Sequence, residues 1–336
     1  MAEISRQAMT LIFTDECMAQ VSIERIEEAR GRIAGVVRRT PVERSQWLTN
    51  ELGREIWLKL ECFQVTGSFK IRGAMAKLSN LSEEEKARGI LTVSAGNHGL
   101  AVAHCSEALS LDATIVVPES ASRAKVAALR RYPITLIERG ASYDEAEATA
   151  RRMERETGAT FISPYNDEDV IAGQGTIALE IMEDAPRIDA ILAPVSGGGL
   201  IAGIAIAAKT ADPRIKIYGA EPDATPTMLE SLRAGRVVAI KEEETIADGL
   251  AGNIEAGSIT FPIVQQLVDD IILVSEKSIR DAIARVARED HLMIEGSAAV
   301  AIAALNDPRI EGERIAVVVT GRNIGFDLFA RVMMGR

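Results

Sequence analysis

The sequence predicts an α/β protein built from two open, mostly parallel sheets covered by helices. Three observations carry this. From Gly89 onward, short apolar strand patterns alternate with helical ones almost without interruption. The strand patterns are near-continuous apolar runs, clearest over residues 189–195, as expected of strands buried on both faces. Several of them end in small, glycine-rich turns that open a helix.

Taken in order, residues 1–20 show no period and read as a loosely held arm. Apolar residues at helical spacing (Ile23, Ile26, Ile33, Val36, Val37) predict a helix over 23–37, stopping before Thr40-Pro41. A strand over 55–61 and a helix over 73–78 flank the segment Gln64-Val65-Thr66-Gly67-Ser68-Phe69-Lys70-Ile71-Arg72. Strands follow over 90–94, 113–117 and 134–137, with helices over 100–109, 122–131 and 142–157. These β-α units make residues 85–160 a candidate small domain. Residues 1–84 and 161–336 form the large one, the two sharing one folded unit. Phe161 to Pro164 leads into a loop, and helices are expected over 170–182, 200–209, 278–288 and 297–305. Strands over 189–195, 215–220, 270–274 and 315–320 complete the chain.

The totals exclude several function classes. At 336 residues, 47% hydrophobic and 26% charged, the chain has ample length to bury a core. A net charge of -11 argues against a nucleic-acid or anionic-membrane partner. Cys17, Cys62 and Cys105 are widely spaced, with no C-x-x-C and no histidine at metal-ligand spacing, which argues against zinc. The N-terminus lacks a signal pattern, and no run of about 18 apolar residues occurs. The expected location is cytoplasmic, with reduced thiols.

Ligands of open α/β sheets collect at the carboxyl ends of strands. Four such ends carry unusual residues here: Ser68 to Lys70, Ser94 to Gly99, Ser196 to Leu200, and Thr320 to Asn323. Lys70 is either a solvated cation or an amine whose pKa falls on burial until it can form a Schiff base. Gly197-Gly198-Gly199 between strand and helix suits either tight packing or a phosphate held by backbone N–H groups, the solution an acidic protein would need. The same stretch imitates a dinucleotide fingerprint. Gly197-x-Gly199-x-x-x-Gly203 is followed by Glu221 at about the 20-residue distance of a ribose-binding acid. Ser94-Ala95-Gly96-Asn97-His98-Gly99 could clamp a carboxylate, with the Asn97 amide free for a phenolic or carbonyl oxygen. His98 reads equally as a base or as a structural group. His104 and His291 fall in helical patterns and read as structural.

Together these stretches resemble the fold-type II pyridoxal-phosphate enzymes (the tryptophan synthase β-like fold), in the branch of threonine/serine dehydratases and serine racemases. The matching pieces are residues 59–74, 94–99, Val170-Ile171-Ala172-Gly173-Gln174-Gly175-Thr176, 196–200, Ala247-Asp248-Gly249 and 320–323, in the family's order. The resemblance implies pyridoxal 5'-phosphate as cofactor, bound to Lys70, which also moves the substrate's α-proton. Phe69 would pack on the cofactor ring, Asn97 would bond its ring oxygen, and Gly249 would lie near the ring edge. Gly197, Gly198, Gly199 and Leu200 would take the phosphate. Thr320 would meet the pyridine nitrogen. Ser94, Gly96, His98, Tyr165 and Arg322 would surround the substrate.

A neutral hydroxyl at Thr320 holds a proton on that nitrogen less firmly than a carboxylate would. This favours prompt loss of a β-leaving group. The expected reaction is therefore dehydration of a β-hydroxy amino acid such as L-threonine or L-serine to a keto acid and ammonia. Ala95, where racemases of this branch carry serine, has no proton to give, so amino-acid racemisation is the alternative. A nicotinamide-dependent oxidoreductase built on the Gly197–Glu221 unit is the rival of another class, and a non-catalytic amino-acid-binding relative is a third. Three departures qualify the match. Ser196 replaces a glycine of the phosphate loop. Arg322 replaces a glycine and could select an acidic side chain. Thr227 stands where some relatives use an aspartate, with Glu221, to hold a divalent metal, so no metal is expected. The chain ends too soon after Arg322 for a C-terminal regulatory domain. The partners expected are an amino-acid substrate and a second copy, as relatives commonly dimerise.

Overall fold

The computed structural model describes residues 21–335, so the expected N-terminal arm and Cys17 lie outside the described residues. In chain order the strands are β1 (Val42–Arg44), β2 (Glu55–Lys59), β3 (Ile90–Val93), β4 (Ala113–Val117), β5 (Thr135–Glu138), β6 (Thr160–Phe161), β7 (Ala190–Pro194), β8 (Lys216–Pro222), β9 (Asp270–Val274) and β10 (Arg314–Val318). Six form one sheet in the order β1-β2-β10-β7-β8-β9, and four form another in the order β5-β4-β3-β6. Every pairing is parallel except β1 with β2.

The near-continuous apolar strands are explained by their two buried faces. Ile191, Ala193, Ala316, Val318 and Ile217 enter one core with the helices Glu168–Asp184 and Gly199–Ala211. Their neighbours Ala190, Leu192, Ile315, Val317 and Ala220 enter a second core with the helices Glu276–Glu289 and Gly296–Ala304. The first core also takes Ile90, Ala101, Val102 and Ala113 from the smaller sheet and its helix, so the two sheets share it.

Two glycines set how closely the helices cross. A Cβ on Gly173 would lie 2.5 Å from the Arg72 carbonyl oxygen, and one on Gly203 would lie 2.3 Å from that of Ile171. The helix Lys70–Ser79 therefore docks backbone-to-backbone on Glu168–Asp184. A buried ion network fixes it further. The Arg72 guanidinium donates to both Glu61 oxygens at 2.8 Å and to Glu180 at 2.7 Å. Lys59 donates to Glu180 at 2.5 Å and to the Thr40 carbonyl at 2.7 Å.

Some boundaries differ from expectation. The helix expected over 23–37 ends at Ile33, because Gly35 takes φ +88. The strand expected to reach residue 61 stops at Lys59, and Glu61–Phe63 forms a 3-10 turn. β1 and the helices Gln46–Leu52, Glu83–Arg88, Thr227–Ala234, Thr260–Leu267 and Phe326–Met333 were not foreseen; they are short, and Glu83–Arg88, which buries no residue, rests on a local capping box between Ser82 and Glu85. His291 is not helical: it follows the helix Glu276–Glu289 with φ +56. Cys62 and Cys105 are buried free thiols. Among the described residues no helix is long and apolar enough to cross a membrane.

Candidate active site

The chain leaves β2 through the 3-10 turn and folds back along the end of β10. Gly67 makes the bend at φ +78, where a Cβ would lie 2.6 Å from Asn323 Oδ1. Ser68 pairs with Gly321, and the Phe69 N–H donates to the Thr320 carbonyl at 3.0 Å. Lys70 is consequently the first residue of its helix, at the positive end of the dipole, where a cation is disfavoured. Its Nζ donates to the Pro164 carbonyl at 2.9 Å and lies 5.2 Å from the Phe69 ring centroid. Burial lowers the amine from 10.5 to about 8, with the Glu295 carboxyl opposing the shift. Of the two readings of Lys70, the geometry supports the reactive amine.

The glycine stretch lies at the end of β7. Gly198 takes φ +86 as the N-cap of Gly199–Ala211, and no side chain caps that helix. Its first N–H groups are left for an anion, and the dipole adds to them. The cradle admits no side chain: a Cβ on Gly197 would lie 2.5 Å from the Tyr165 ring, and one on Gly199 would lie 2.8 Å from the Tyr165 carbonyl oxygen. Thr260 Oγ1 donates to the Gly197 carbonyl at 2.6 Å and steadies the loop. Leu200, in the first helical turn, is buried. Tyr165 serves here as the wall of this loop, and its hydroxyl accepts from the Glu255 N–H at 2.9 Å.

β3 ends at Val93, and the Ser94 hydroxyl accepts from the Gly96 N–H at 3.1 Å. The helix Asn97–Leu109 begins earlier than expected, so Asn97 and His98 sit in its first turn. His98 Nε2 is 3.0 Å from the Ile162 carbonyl, to which it donates as a neutral imidazole. Burial, reinforced by the Lys70 charge, pushes His98 down to about 3. Of the two readings of His98, this geometry favours the structural one. A ring committed to a carbonyl and kept neutral is a structural group.

Asn97 Nδ2 donates to Glu295 Oε1 at 2.7 Å, and Asn97 Oδ1 accepts from Asn323 Nδ2 at 2.6 Å. Burial raises Glu295 from 4.5 to about 7, although the Asn97 bond works against it. Sequence reasoning missed Glu295. The available signal was a lone acid inside the apolar run Leu292-Met293-Ile294-Glu295-Gly296. The Gly249 N–H donates to Ser297 Oγ at 3.1 Å, bringing the Ala247-Asp248-Gly249 turn to the same helix start. Thr320 is buried, and Ser68 Oγ and Thr66 Oγ1 beside it are buried without a partner. Arg322 is not gathered into this group. It is exposed, with its guanidinium 5.8 Å from the Phe63 ring centroid.

Glu221, which the dinucleotide reading needs for a ribose, is fully buried at the end of β8. Its oxygens accept the N–H groups of Met228 and Leu229, each at 2.9 Å. That carboxyl caps the helix Thr227–Ala234 and is not presented to a nucleotide.

An amine of lowered pKa at a helix start and an uncapped glycine cradle for an anion are the parts that a pyridoxal-phosphate site needs. The family described as pyridoxal-phosphate dependent enzymes matches residues 33–321, and the chain belongs to it. It is 41% identical to an L-threonine ammonia-lyase of Thermotoga maritima over 93% of this chain and 78% of that protein. It is 38% identical to a catabolic L-threonine dehydratase of Escherichia coli over 93% of this chain and 96% of that protein. A maize serine racemase structure superposes with a TM-score of 0.88 at 37% identity, covering 94% of this chain and 97% of that one. The cofactor is pyridoxal 5'-phosphate, and the residues present fit it.

Proposed function

We propose that this enzyme catalyses β-elimination of a β-hydroxy amino acid, L-threonine or L-serine, giving a 2-keto acid and ammonia. The observation that carries the reading is the Lys70 amine, held to Pro164 at 2.9 Å and lowered to about 8. About a tenth is then neutral near pH 7, far more than for an ordinary lysine, as a nucleophile and base require. Bound pyridoxal phosphate supplies a carbonyl that condenses with amines and a conjugated ring that accepts the electron pair left at the α-carbon.

The remaining work falls to this chain. Backbone N–H groups at Gly197, Gly198, Gly199 and Leu200 would hold the phosphate, and Phe69 would pack on the ring. Asn97 would donate to the ring oxygen, Gly249 would lie near its edge, and Thr320 would offer the ring nitrogen a neutral hydroxyl. Ser94, Gly96 and the helix start at Asn97 receive the substrate carboxylate, with Tyr165 bounding the cavity. Lys70 Nζ would take the α-proton, the β-hydroxyl would leave as water on receiving a proton from the Lys70 ammonium so formed, and one water would hydrolyse the released enamine, as its imine, to keto acid and ammonia. Residues 85–160 form a small domain beside the rest, and the enzyme works as a cytoplasmic homodimer without a bound metal. Racemisation is the second reading, favoured by the 37% identity to a serine racemase fold. It lacks a proton donor at Ala95.

The test is a visible spectrum of the purified protein and of Lys70→Ala, before and after L-threonine, with keto acid assayed. A yellow band that requires Lys70, together with keto acid and ammonia, supports elimination. A band without keto acid but with D-amino acid formed from L-serine moves the assignment to racemisation. No band after adding pyridoxal phosphate overturns both.

A further inference from the structure

Glu295 is a buried carboxyl inside the site to which the reading above gives no task. Its Oε1 accepts from Asn97 Nδ2 at 2.7 Å and its Oε2 from the Asn323 N–H at 3.0 Å. Asn323 Nδ2 donates to the Thr66 carbonyl at 2.9 Å and to Asn97 Oδ1 at 2.6 Å. This chain of bonds has one polarity. The Thr66 carbonyl can only accept, so Asn323 must present nitrogen there. Asn97 must then turn oxygen to Asn323 and nitrogen to the carboxylate. A flipped Asn97 would set oxygen against carboxylate and nitrogen against nitrogen.

We propose that Glu295 and Asn323 are positioning residues that lock the Asn97 amide, so that its spare N–H is the group offered to the cofactor's ring oxygen. The inference rests on the pyridoxal-phosphate reading and assigns what governs one contact within it. Glu295 suits the role because the backbone fixes it from both sides. Its own N–H donates to the Gly321 carbonyl at 3.1 Å, and a Cβ on Gly321 would lie 2.3 Å from Glu295 Oε1. It is the N-cap of Gly296–Ala304, yet its side chain makes no capping bond and is turned to Asn97 and Asn323 instead. In Glu295→Gln an amide donor replaces one acceptor and must face Asn97 or the Asn323 N–H, which breaks the polarity without removing bulk.

The test is a double-mutant cycle read by equilibrium binding of pyridoxal phosphate and by the ratio of the visible to the near-ultraviolet band of the bound cofactor. Glu295→Gln is expected to weaken cofactor binding about tenfold, the order of one charge-assisted hydrogen bond, and to shift the band ratio. In an Asn97→Ala background the same change should have less than about a twofold effect, because the group it acts through is gone. Asn323→Ala should reproduce the shift if Glu295→Gln folds poorly. Equal losses in both backgrounds, or an unchanged band ratio in both single variants, overturn the proposal while leaving the cofactor assignment intact. An absent band in the unsubstituted protein overturns the cofactor assignment, and this inference with it.

Discussion

Glu61 and Glu295 are both buried carboxyls, and their protonation moves in opposite directions. Burial alone would raise both. Around Glu61 the Arg72 guanidinium, bonded to both oxygens, more than reverses the effect and holds the group below its ordinary value. Around Glu295 there are amides and a backbone N–H but no bonded cation, so burial wins and the group rises to about 7. The same contrast separates Arg72, held between two carboxylates, from Lys70, whose amine donates to a carbonyl. The Arg72 network is fully paired and serves as a rigid base. The Lys70 region is deliberately under-paired, which leaves its groups able to exchange protons. Stability and reactivity lie side by side and are separated by the supply of counter-charge.

The sharpest way to break this comparison is to remove the amine. Lys70→Ala should lower keto-acid formation by about a thousandfold or more, while urea unfolding of the apoprotein shows little loss. Comparable losses in both measurements would place Lys70 in the base rather than in the reactive set. On the other side, Arg72→Met strands Glu61 and Glu180 in the interior. It should cost about 3–5 kcal/mol, read as a lower urea midpoint of the apoprotein. A loss under about 1 kcal/mol would mean that water reaches the network.

A smaller effect is expected at the cradle. Gly198 sits at φ +86 with Met228 Cε 2.9 Å from a would-be Cβ. Gly198→Ala should cost about 1–2 kcal/mol from the left-handed backbone alone. Phosphate-dependent cofactor binding, measured by titration, should weaken with it.

Acid–base behaviour refines the contrast. Lys70 is lowered from 10.5 to about 8, so between those values the unfolded chain binds more protons. Apoprotein stability should therefore rise with pH across that window, and Lys70→Met should flatten the rise. Glu295, raised from 4.5 to about 7, has the opposite sign: stability falls as pH climbs through that interval, and Glu295→Gln should remove the fall. Urea midpoints measured at a series of pH values check both slopes. Smallest of all, the exposed Arg322 should change stability by less than about 0.5 kcal/mol when replaced by glycine. If Arg322 selects acidic side chains, Arg322→Gly will lower the ratio of activity on 3-hydroxyaspartate to that on threonine. An unchanged ratio removes it from the substrate site.

Much of the site was legible because its parts sit at strand ends and helix starts, where local sequence dictates shape. Strand–loop–helix punctuation marked the positions of Lys70 and Gly197 to Gly199, and the family resemblance, not the spacing, singled out Lys70 as the reactive amine. Glu295 and the true role of His98 were not legible. Both depend on partners far along the chain, Asn97 and Asn323 for the first and Ile162 for the second. For Tyr165, only packing reveals that its ring fills the space beside Gly197. The unforeseen helices are short, with too few turns for a period to show, and one of them, Glu83–Arg88, is held by the Ser82–Glu85 capping box.

By itself, then, the sequence determined the α/β order, the buried parallel strands and the residues at their carboxyl ends. Periodicity and turn chemistry act within a few neighbours along the chain. The tertiary structure alone decided which charges are neutralised. Electrostatic and hydrogen-bond energies depend on through-space distance and desolvation, and the Asn97–Glu295 contact spans 198 residues of chain to close at 2.7 Å.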